Sequence, residues 1–165
     1  MIDLNEFLTC LTSHGFSLGA GVPCSYFAGL LHALDEHTSI CYIPATREDE
    51  AVGIACGYVF GGKRCLVIMQ NSGFANIGDA ITSLAQLYEV PLLILISYRG
   101  LKDDMTFPEH SLMGEITEDV LRAYRLPYWV LTENDWKSVL EHALTKMIQT
   151  SRPVCLLVGK EVFCE

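Results

Sequence analysis

Six short apolar runs alternate with helix-length amphipathic segments, and this alternation constrains the fold more than any other feature. The runs predict strands at Phe16–Ala20, Ile40–Ile43, Cys65–Gln70, Leu92–Ser97, Tyr128–Leu131 and Val154–Val158. The segments between them predict helices at Asp3–Ser13, Ser25–Glu36, Glu48–Phe60, Ala75–Tyr88, Glu115–Tyr124 and Asn134–Thr150. Several strands are apolar at every position, which is typical of strands covered on both faces. We therefore predict an α/β fold, a three-layer α/β/α sandwich around a mainly parallel six-stranded sheet.

Length and charge limit the classes of protein to consider. The 165 residues contain no linker-like stretch, so we predict a single domain over 1–165. The net charge is −9 and there are only eleven lysines and arginines, which argues against a nucleic-acid partner. Half of the residues are apolar. This fraction suits a sheet buried on both faces, and it also leaves apolar surface for a protein partner.

The cysteines and the N-terminus bear on the cellular compartment. Seven cysteines include no C-x-x-C pair and lie mostly in apolar runs, so we expect buried free thiols in a reducing environment. The first residues show no basic stretch followed by an apolar one, and no apolar run approaches the ~20 residues that span a bilayer. We expect a cytoplasmic protein that does not associate with membranes.

In open parallel sheets, ligands bind beside the carboxyl ends of the strands, so the loops that follow the predicted strands are the candidate site. Those loops are 21–25, 44–49, 71–74 and 98–114. Gly21 and Gly73 lack side chains and Pro23 and Pro44 restrict the backbone, which would let a ligand approach the peptide groups. Glycine and proline are also ordinary components of turns between strands and helices, so this alternative stays open for each loop.

The second loop carries an acid at the start of a predicted helix. Glu48 is followed by small residues at Ala51, Ala55 and Gly57, which would allow close packing of the helix against a neighbour. A surface carboxylate that interacts with the helix dipole is the ordinary explanation for an acid at this position.

Several motifs together resemble a known family. Glu48 is followed nine positions later by Gly57-Tyr58, and Gly21-Val22-Pro23, the Gln70 to Asn76 stretch and Pro91 occur in a matching order. This order resembles the pyrimidine-binding domain of thiamine-diphosphate-dependent decarboxylases of the pyruvate decarboxylase and acetolactate synthase type. The resemblance spans nearly the whole chain and is closest to the sulfopyruvate and phosphonopyruvate decarboxylases.

The resemblance implies roles for individual residues. Glu48 would hydrogen-bond a ring nitrogen of the cofactor's aminopyrimidine. The pyrimidine end of thiamine diphosphate would contact Gly21, Val22, Pro23, Gly73 and Phe74. His110 would be the catalytic proton donor, although related enzymes often carry two adjacent histidines and this chain has Ser111 next. A surface loop histidine is the alternative explanation for His110.

In this family a different domain holds the cofactor's diphosphate and its Mg²⁺, and a Gly-Asp-Gly motif followed by two asparagines marks that domain. Here Gly78-Asp79 is followed by Ala80 and by no later asparagine pair. The resemblance therefore implies a separate diphosphate-binding beta subunit that holds Mg²⁺, with at least two copies of each chain in the assembly.

The implied substrate is a small anionic 2-oxo acid. The leading hypothesis is decarboxylation of sulfopyruvate to sulfoacetaldehyde and CO2. The alternatives are a split phosphonopyruvate decarboxylase subunit and a non-catalytic regulatory or binding module of the same fold. A flavodoxin-like small-molecule binder ranks last, because no loop has the G-x-G-x-x-G pattern of a phosphate site.

A sulfonate or phosphonate adds a second anion to the substrate, which calls for arginine, lysine or backbone donors. The candidate substrate contacts are Arg47, Arg99, Lys102, Asn71 and Ser72. Each basic residue could instead be solvated or paired with a nearby acid such as Asp49 or Asp103.

Overall fold

The computed structural model describes residues 1–101 and 108–163, with the exception of the Glu109 side chain. Its strands are β1 (Phe16–Gly21), β2 (Cys41–Pro44), β3 (Arg64–Gln70), β4 (Leu93–Ser97), β5 (Tyr128–Leu131) and β6 (Val154–Val158). They form one six-stranded sheet in the order β2-β1-β3-β4-β6-β5. Every pairing is parallel. The predicted α/β class and the six strands are confirmed.

The helices follow the predicted alternation, but two begin earlier than predicted, at Asn71 instead of Ala75 and at Ser111 instead of Glu115. They are α1 (Leu4–Ser13), α2 (Ala28–Glu36), α3 (Glu48–Phe60), α4 (Asn71–Phe74), α5 (Ser111–Ala123) and α6 (Trp136–Thr150). A 3-10 turn, Ala75–Ile77, and a π-helix, Ala80–Ala85, follow α4, so helical turns run through segment 71–85. In the described residues, no helix combines the length and apolar character needed to cross a bilayer.

The prediction that the helix Ala75–Tyr88 begins at Ala75 was wrong. Helical turns begin at Asn71, directly after β3, where the polar residues and Gly73 suggested a loop. Asn71 is fully buried and its amide donates to Arg99 O and to Thr117 Oγ1, both at 2.9 Å. These tertiary hydrogen bonds stabilise a helical turn that local propensity alone does not favour.

Helices cover both faces of the sheet, so the three-layer arrangement is confirmed. Helices α1, α2 and α6 pack on one face, while α3, segment 71–85 and α5 pack on the other. Along β3, Leu66 and Ile68 point to the first layer, and Val67 and Met69 point to the second. This alternation explains why a strand with two buried faces is apolar at every position.

Strands β1 and β3 leave no room for a side chain at Gly21, where they meet at their carboxyl ends. A Cβ added at Gly21 would lie 2.1 Å from the carbonyl oxygen of Ile68, and the Val22 N–H donates to that oxygen at 3.1 Å. The chain passes from β1 to β2 on one side and later returns to β3 on the other, so this is a topological switch point. The candidate loops therefore converge here.

Gly21→Ala is expected to destabilise the protein by about 2–3 kcal/mol, since the new methyl would overlap backbone that only a shift of the strands can move. Urea unfolding followed by circular dichroism measures this change. The matched control is Gly53→Ala in α3, where an added Cβ meets nothing within 4 Å. That variant should be neutral or stabilised by up to ~1 kcal/mol through helix propensity. Equal stability of the two variants would contradict the assigned packing role of Gly21.

The described cysteines are all free thiols. Cys24, Cys56, Cys65 and Cys155 are buried, Cys10 is half-buried, and Cys41 is exposed, so the expected burial was wrong for Cys41. Burial raises the pKa of the Cys56 thiol to about 11 and that of Cys65 to about 12. Both thiols therefore stay protonated and unreactive near neutral pH.

Candidate active site

The candidate site surrounds four consecutive residues at the end of β3, Gln70-Asn71-Ser72-Gly73, which we call the β3 turn. Its residues contact the start of α3, the loop after β1, the loop after β4 and the start of α5. These contacts bring most of the predicted site residues together at the carboxyl edge of the sheet.

Glu48 packs directly on the β3 turn. A Cβ added at Gly73 would lie 2.0 Å from Oε1 of Glu48 and 2.3 Å from its Cδ, so the missing side chain of Gly73 provides the space for this carboxylate. Glu48 is half-buried, and among the described residues its carboxylate makes no hydrogen bond. The structure thus places an acid beside the β3 turn with its oxygens available to a ligand.

The neighbouring acids of α3 behave differently from Glu48. Asp49 pairs with Arg47, with 3.0 Å between Oδ1 and Nε, and Glu50 accepts a hydrogen bond from the Thr46 N–H at 2.8 Å. Asp49 and Glu50 therefore make the interactions that are usual for acids at a helix N-terminus, a local ion pair and a hydrogen bond to a backbone N–H. Since they supply that role, the inward position of Glu48 needs another explanation.

His110 lies at the β3 turn, in the 3-10 turn Pro108–His110 that precedes α5. Its Nε2 is 3.3 Å from Nε2 of Gln70, and the Gln70 amide also donates to Ser72 Oγ at 2.6 Å. The imidazole is half-buried. It is therefore part of the site rather than a solvated loop side chain.

Two predicted ligand contacts turn out to be inside the protein. Asn71 is fully buried and ties the β3 turn to the loop after β4 and to α5 through its two amide hydrogen bonds. Phe74 is also fully buried, and its ring packs against Tyr124 with centroids 5.8 Å apart. Both residues hold the β3 turn in place.

The two arginines predicted as anion contacts have opposite environments. The side chain of Arg47 is 67% exposed and is paired with Asp49. Arg99 follows β4, is 7% exposed, and its guanidinium lies 4.1 Å from the ring of Tyr26. The structure brings Arg99 into the site and leaves Arg47 at the surface, while Lys102 lies outside the described residues.

The loop after β1 borders the same site. The carbonyl of Gly21 accepts hydrogen bonds from Ala45 N–H at 2.8 Å and from Tyr42 Oη at 3.0 Å. Burial raises the pKa of the Tyr42 phenol to about 12, so this donor keeps its proton. Val22 is half-buried and Pro23 is exposed. The close contact between Gly21 and the backbone of Ile68 thus explains why this position has no side chain.

Sequence reasoning missed two polar members of the site. The Cys24 thiol lies 3.2 Å from Ser97 Oγ and donates to Gln70 Oε1 at 3.7 Å, so it bridges the ends of β3 and β4. Ser97 is fully buried. A polar residue that ends an otherwise apolar strand, as Ser97 ends β4, was the available signal.

Comparison with known proteins places this geometry in a family. The profile described as "Thiamine pyrophosphate enzyme, N-terminal TPP binding domain" matches residues 5–120. The chain is 38% identical over 138 residues to sulfopyruvate decarboxylase subunit alpha of Methanocaldococcus jannaschii, covering 82% of this chain and 80% of that protein. It is 34% identical over 146 residues to the protein of the same name from Methanococcus maripaludis, covering 87% and 86% of the two chains.

Other relatives share only part of their length with this chain. Phosphonopyruvate decarboxylase of Streptomyces hygroscopicus is 35% identical over 120 residues, which are 73% of this chain and 30% of that protein. The crystal structure of benzoylformate decarboxylase from Polynucleobacter necessarius matches the fold with a TM-score of 0.77 at 19% identity, over 100% of this chain and 31% of that chain. Through its fold and the family profile, this chain belongs to the thiamine pyrophosphate enzymes and comprises their N-terminal TPP-binding domain.

Proposed function

We propose that this chain is the pyrimidine-binding subunit of a thiamine-diphosphate-dependent decarboxylase that converts sulfopyruvate to sulfoacetaldehyde and CO2. Two relatives that align over most of their own length carry the name sulfopyruvate decarboxylase subunit alpha. The position of Glu48 is the observation that carries the catalytic part of the proposal.

The residues present fit the pyrimidine end of the cofactor. A pyrimidine ring needs a hydrogen-bonding partner at a ring nitrogen, and the Glu48 carboxylate is half-buried without a hydrogen bond to any described residue. Gly21, Val22 and Pro23 border the same edge of the sheet, and Gly73 makes room for the acid. When bound, thiamine diphosphate supplies the electron sink that makes loss of CO2 from a 2-oxo acid feasible.

The remaining polar residues suit proton transfer and positioning. His110 can deliver a proton to the product side of the reaction, since an imidazole can serve as a general acid. Gln70 orients the ring through its amide, and Ser72 orients Gln70 in turn. Asn71 stabilises the β3 turn, which contains Gln70 and Ser72, through its two hydrogen bonds.

A second subunit is proposed to bind the diphosphate and Mg²⁺. The chain contains no Gly-Asp-Gly, and Asp79 of its Gly-Asp pair is exposed on the helical segment 71–85, where it accepts from Ser83 Oγ at 2.7 Å. The matched region makes up 80% of one relative named subunit alpha, but 30% of the longer phosphonopyruvate decarboxylase. The rest of that longer chain is where the missing half of the site is expected.

Association with that subunit and with further copies is supported by exposed apolar side chains. Phe60, Leu87 and Tyr88 are 59%, 66% and 62% exposed, and the rings of Phe60 and Tyr88 are 6.4 Å apart. On α3, Gly53 and Gly57 are exposed and have open space beside them. We propose an assembly with at least two copies of each chain, located in the cytoplasm, where free thiols persist.

Phosphonopyruvate is the second candidate substrate, because phosphonopyruvate decarboxylases also align with this chain at 35–36% identity. A non-catalytic binding module is less consistent with the site, since such a module has no use for an unpaired, half-buried acid against Gly73.

Reconstitution tests the proposal. The chain is mixed with the diphosphate-binding subunit, recognised by its Gly-Asp-Gly motif, and CO2 release from sulfopyruvate and phosphonopyruvate is measured with thiamine diphosphate and Mg²⁺. We expect activity only when both chains are present, with sulfopyruvate preferred. The chain alone should bind thiamine diphosphate weakly in calorimetry. Inactivity of the complex on both acids, or tight binding by the chain alone, would contradict the proposal.

A further inference from the structure

Arg99 stands out in the electrostatics of the chain. Among the side chains that the structure describes, it is the single buried charged one, with 7% exposure. The chain has twenty acids, yet the described ion pairs include no carboxylate partner for this guanidinium. Its Nε is also buried without a hydrogen-bond partner. A buried cation is costly without a counter-ion, and the described residues supply none, so a bound anion would complete the site.

The surroundings of Arg99 suit an oxyanion. Its Nη2 donates to Ser25 Oγ and, at 3.6 Å, to Cys24 Sγ, while the ring of Tyr26 supports the face of the guanidinium. The side-chain amide of Asn71 donates a hydrogen bond to the backbone carbonyl of Arg99, with 2.9 Å between Nδ2 and O. The guanidinium is therefore pre-oriented, and its N–H donors that Ser25 and Cys24 do not use can bind an anion.

The position of Arg99 connects it to the reaction site. Cys24 contacts both Arg99 and Gln70, and Gln70 contacts His110. Two side chains, Cys24 and Gln70, thus link the anion site to the proposed proton donor.

We propose that Arg99 binds the tetrahedral oxyanion of the substrate, the sulfonate or phosphonate, and is the specificity-determining residue of this subunit. The inference rests on the proposed function. The alternative occupant is the carboxylate that leaves as CO2. That group loses its charge in the transition state, so pairing it with a buried arginine would stabilise the substrate more than the transition state and slow the reaction. The sulfonate or phosphonate keeps its charge throughout the reaction, so pairing it with Arg99 stabilises the substrate and the transition state alike.

The test uses the complex assembled with its diphosphate-binding subunit. Arg99→Gln should lower kcat/KM for sulfopyruvate by on the order of 10- to 100-fold, mainly through KM, as expected for lost charge-assisted hydrogen bonds. In calorimetry, the affinity for the unreactive 3-sulfopropanoate should fall by a similar factor. Butanoate, which has a methyl group in place of the sulfonate, should bind both complexes equally. Arg122→Gln, on the exposed face of α5, is the matched control and should change neither quantity.

Several outcomes separate the possibilities. Equal affinity of wild type and Arg99→Gln for 3-sulfopropanoate would overturn the inference, as would an equal loss of affinity for butanoate, which would indicate a structural role. If Arg99→Gln does not fold, Arg99→Lys keeps the buried charge and should weaken 3-sulfopropanoate binding about tenfold through loss of the planar fork; unchanged binding would overturn the inference. A wild-type complex that binds 3-sulfopropanoate through Arg99 but decarboxylates neither acid would contradict the proposed function alone.

Discussion

Glu48→Gln is expected to lower the turnover of the assembled enzyme by about 10²–10⁴-fold, the range typical for loss of a catalytic acid or base. Glutamine has nearly the same shape, so it fits beside Gly73, but it cannot share a proton with a ring nitrogen. Steady-state decarboxylation at saturating thiamine diphosphate measures the effect. Circular dichroism and sedimentation should show unchanged folding and assembly.

Glu50→Gln is the matched control for this variant. It makes the same chemical change two residues away in the first turn of α3, and an amide oxygen can still accept the hydrogen bond from Thr46 N–H. Turnover should stay within about twofold, because surface substitutions of this kind have small effects. A near-normal rate for Glu48→Gln, or an equal loss in both variants, would remove the assigned role of Glu48.

Gly73→Ala should be almost as damaging as Glu48→Gln, although it changes no functional group. Its Cβ would lie 2.0 Å from Oε1 of Glu48, and all three nearest atoms belong to that side chain. Gly73 does not have a positive φ, so the backbone accepts alanine, and the flexible carboxylate moves instead. A displacement of about 1 Å at a reacting group costs on the order of 10²-fold in rate.

The double variant distinguishes displacement of Glu48 from general disruption. Once Glu48 no longer functions, moving it further has no cost, so Gly73→Ala should add little in a Glu48→Gln background. Thermal unfolding of Gly73→Ala should be close to wild type. Fully additive losses, or a large drop in melting temperature, would show that Gly73 supports the fold rather than the acid.

The central strands were predictable from the sequence, because strands that are buried on both faces are apolar at every position. β3, β4 and β6 are apolar along their length, and their position between two helical layers explains that pattern. The start of α4 was not predictable in the same way. Asn71 and Gly73 favour a loop locally, and only the distant hydrogen bonds to Arg99 and Thr117 stabilise a helical turn there.

The site was predictable as a set of loops but not as a set of contacts. The resemblance pointed to Glu48 and His110 as candidates, and parallel topology predicted which loops converge. Nothing in the local pattern distinguishes Arg47 from Arg99, since both follow a strand end. Burial separates them, because Arg47 is paired at the surface and Arg99 is enclosed with no counter-ion among the described residues. The contact between Glu48 and Gly73 also depends on packing between distant parts of the chain.

The β3 turn limits how this enzyme could acquire a new substrate. Gln70 contacts His110, Asn71 contacts the loop of Arg99, and Gly73 contacts Glu48, so replacing any of the three is expected to disturb one part of the proposed site. Ser25 and Arg99 reach the proposed anion site from separate loops. Variation that changes specificity should therefore accumulate at positions 25 and 99, while the β3 turn stays constant across enzymes with different substrates.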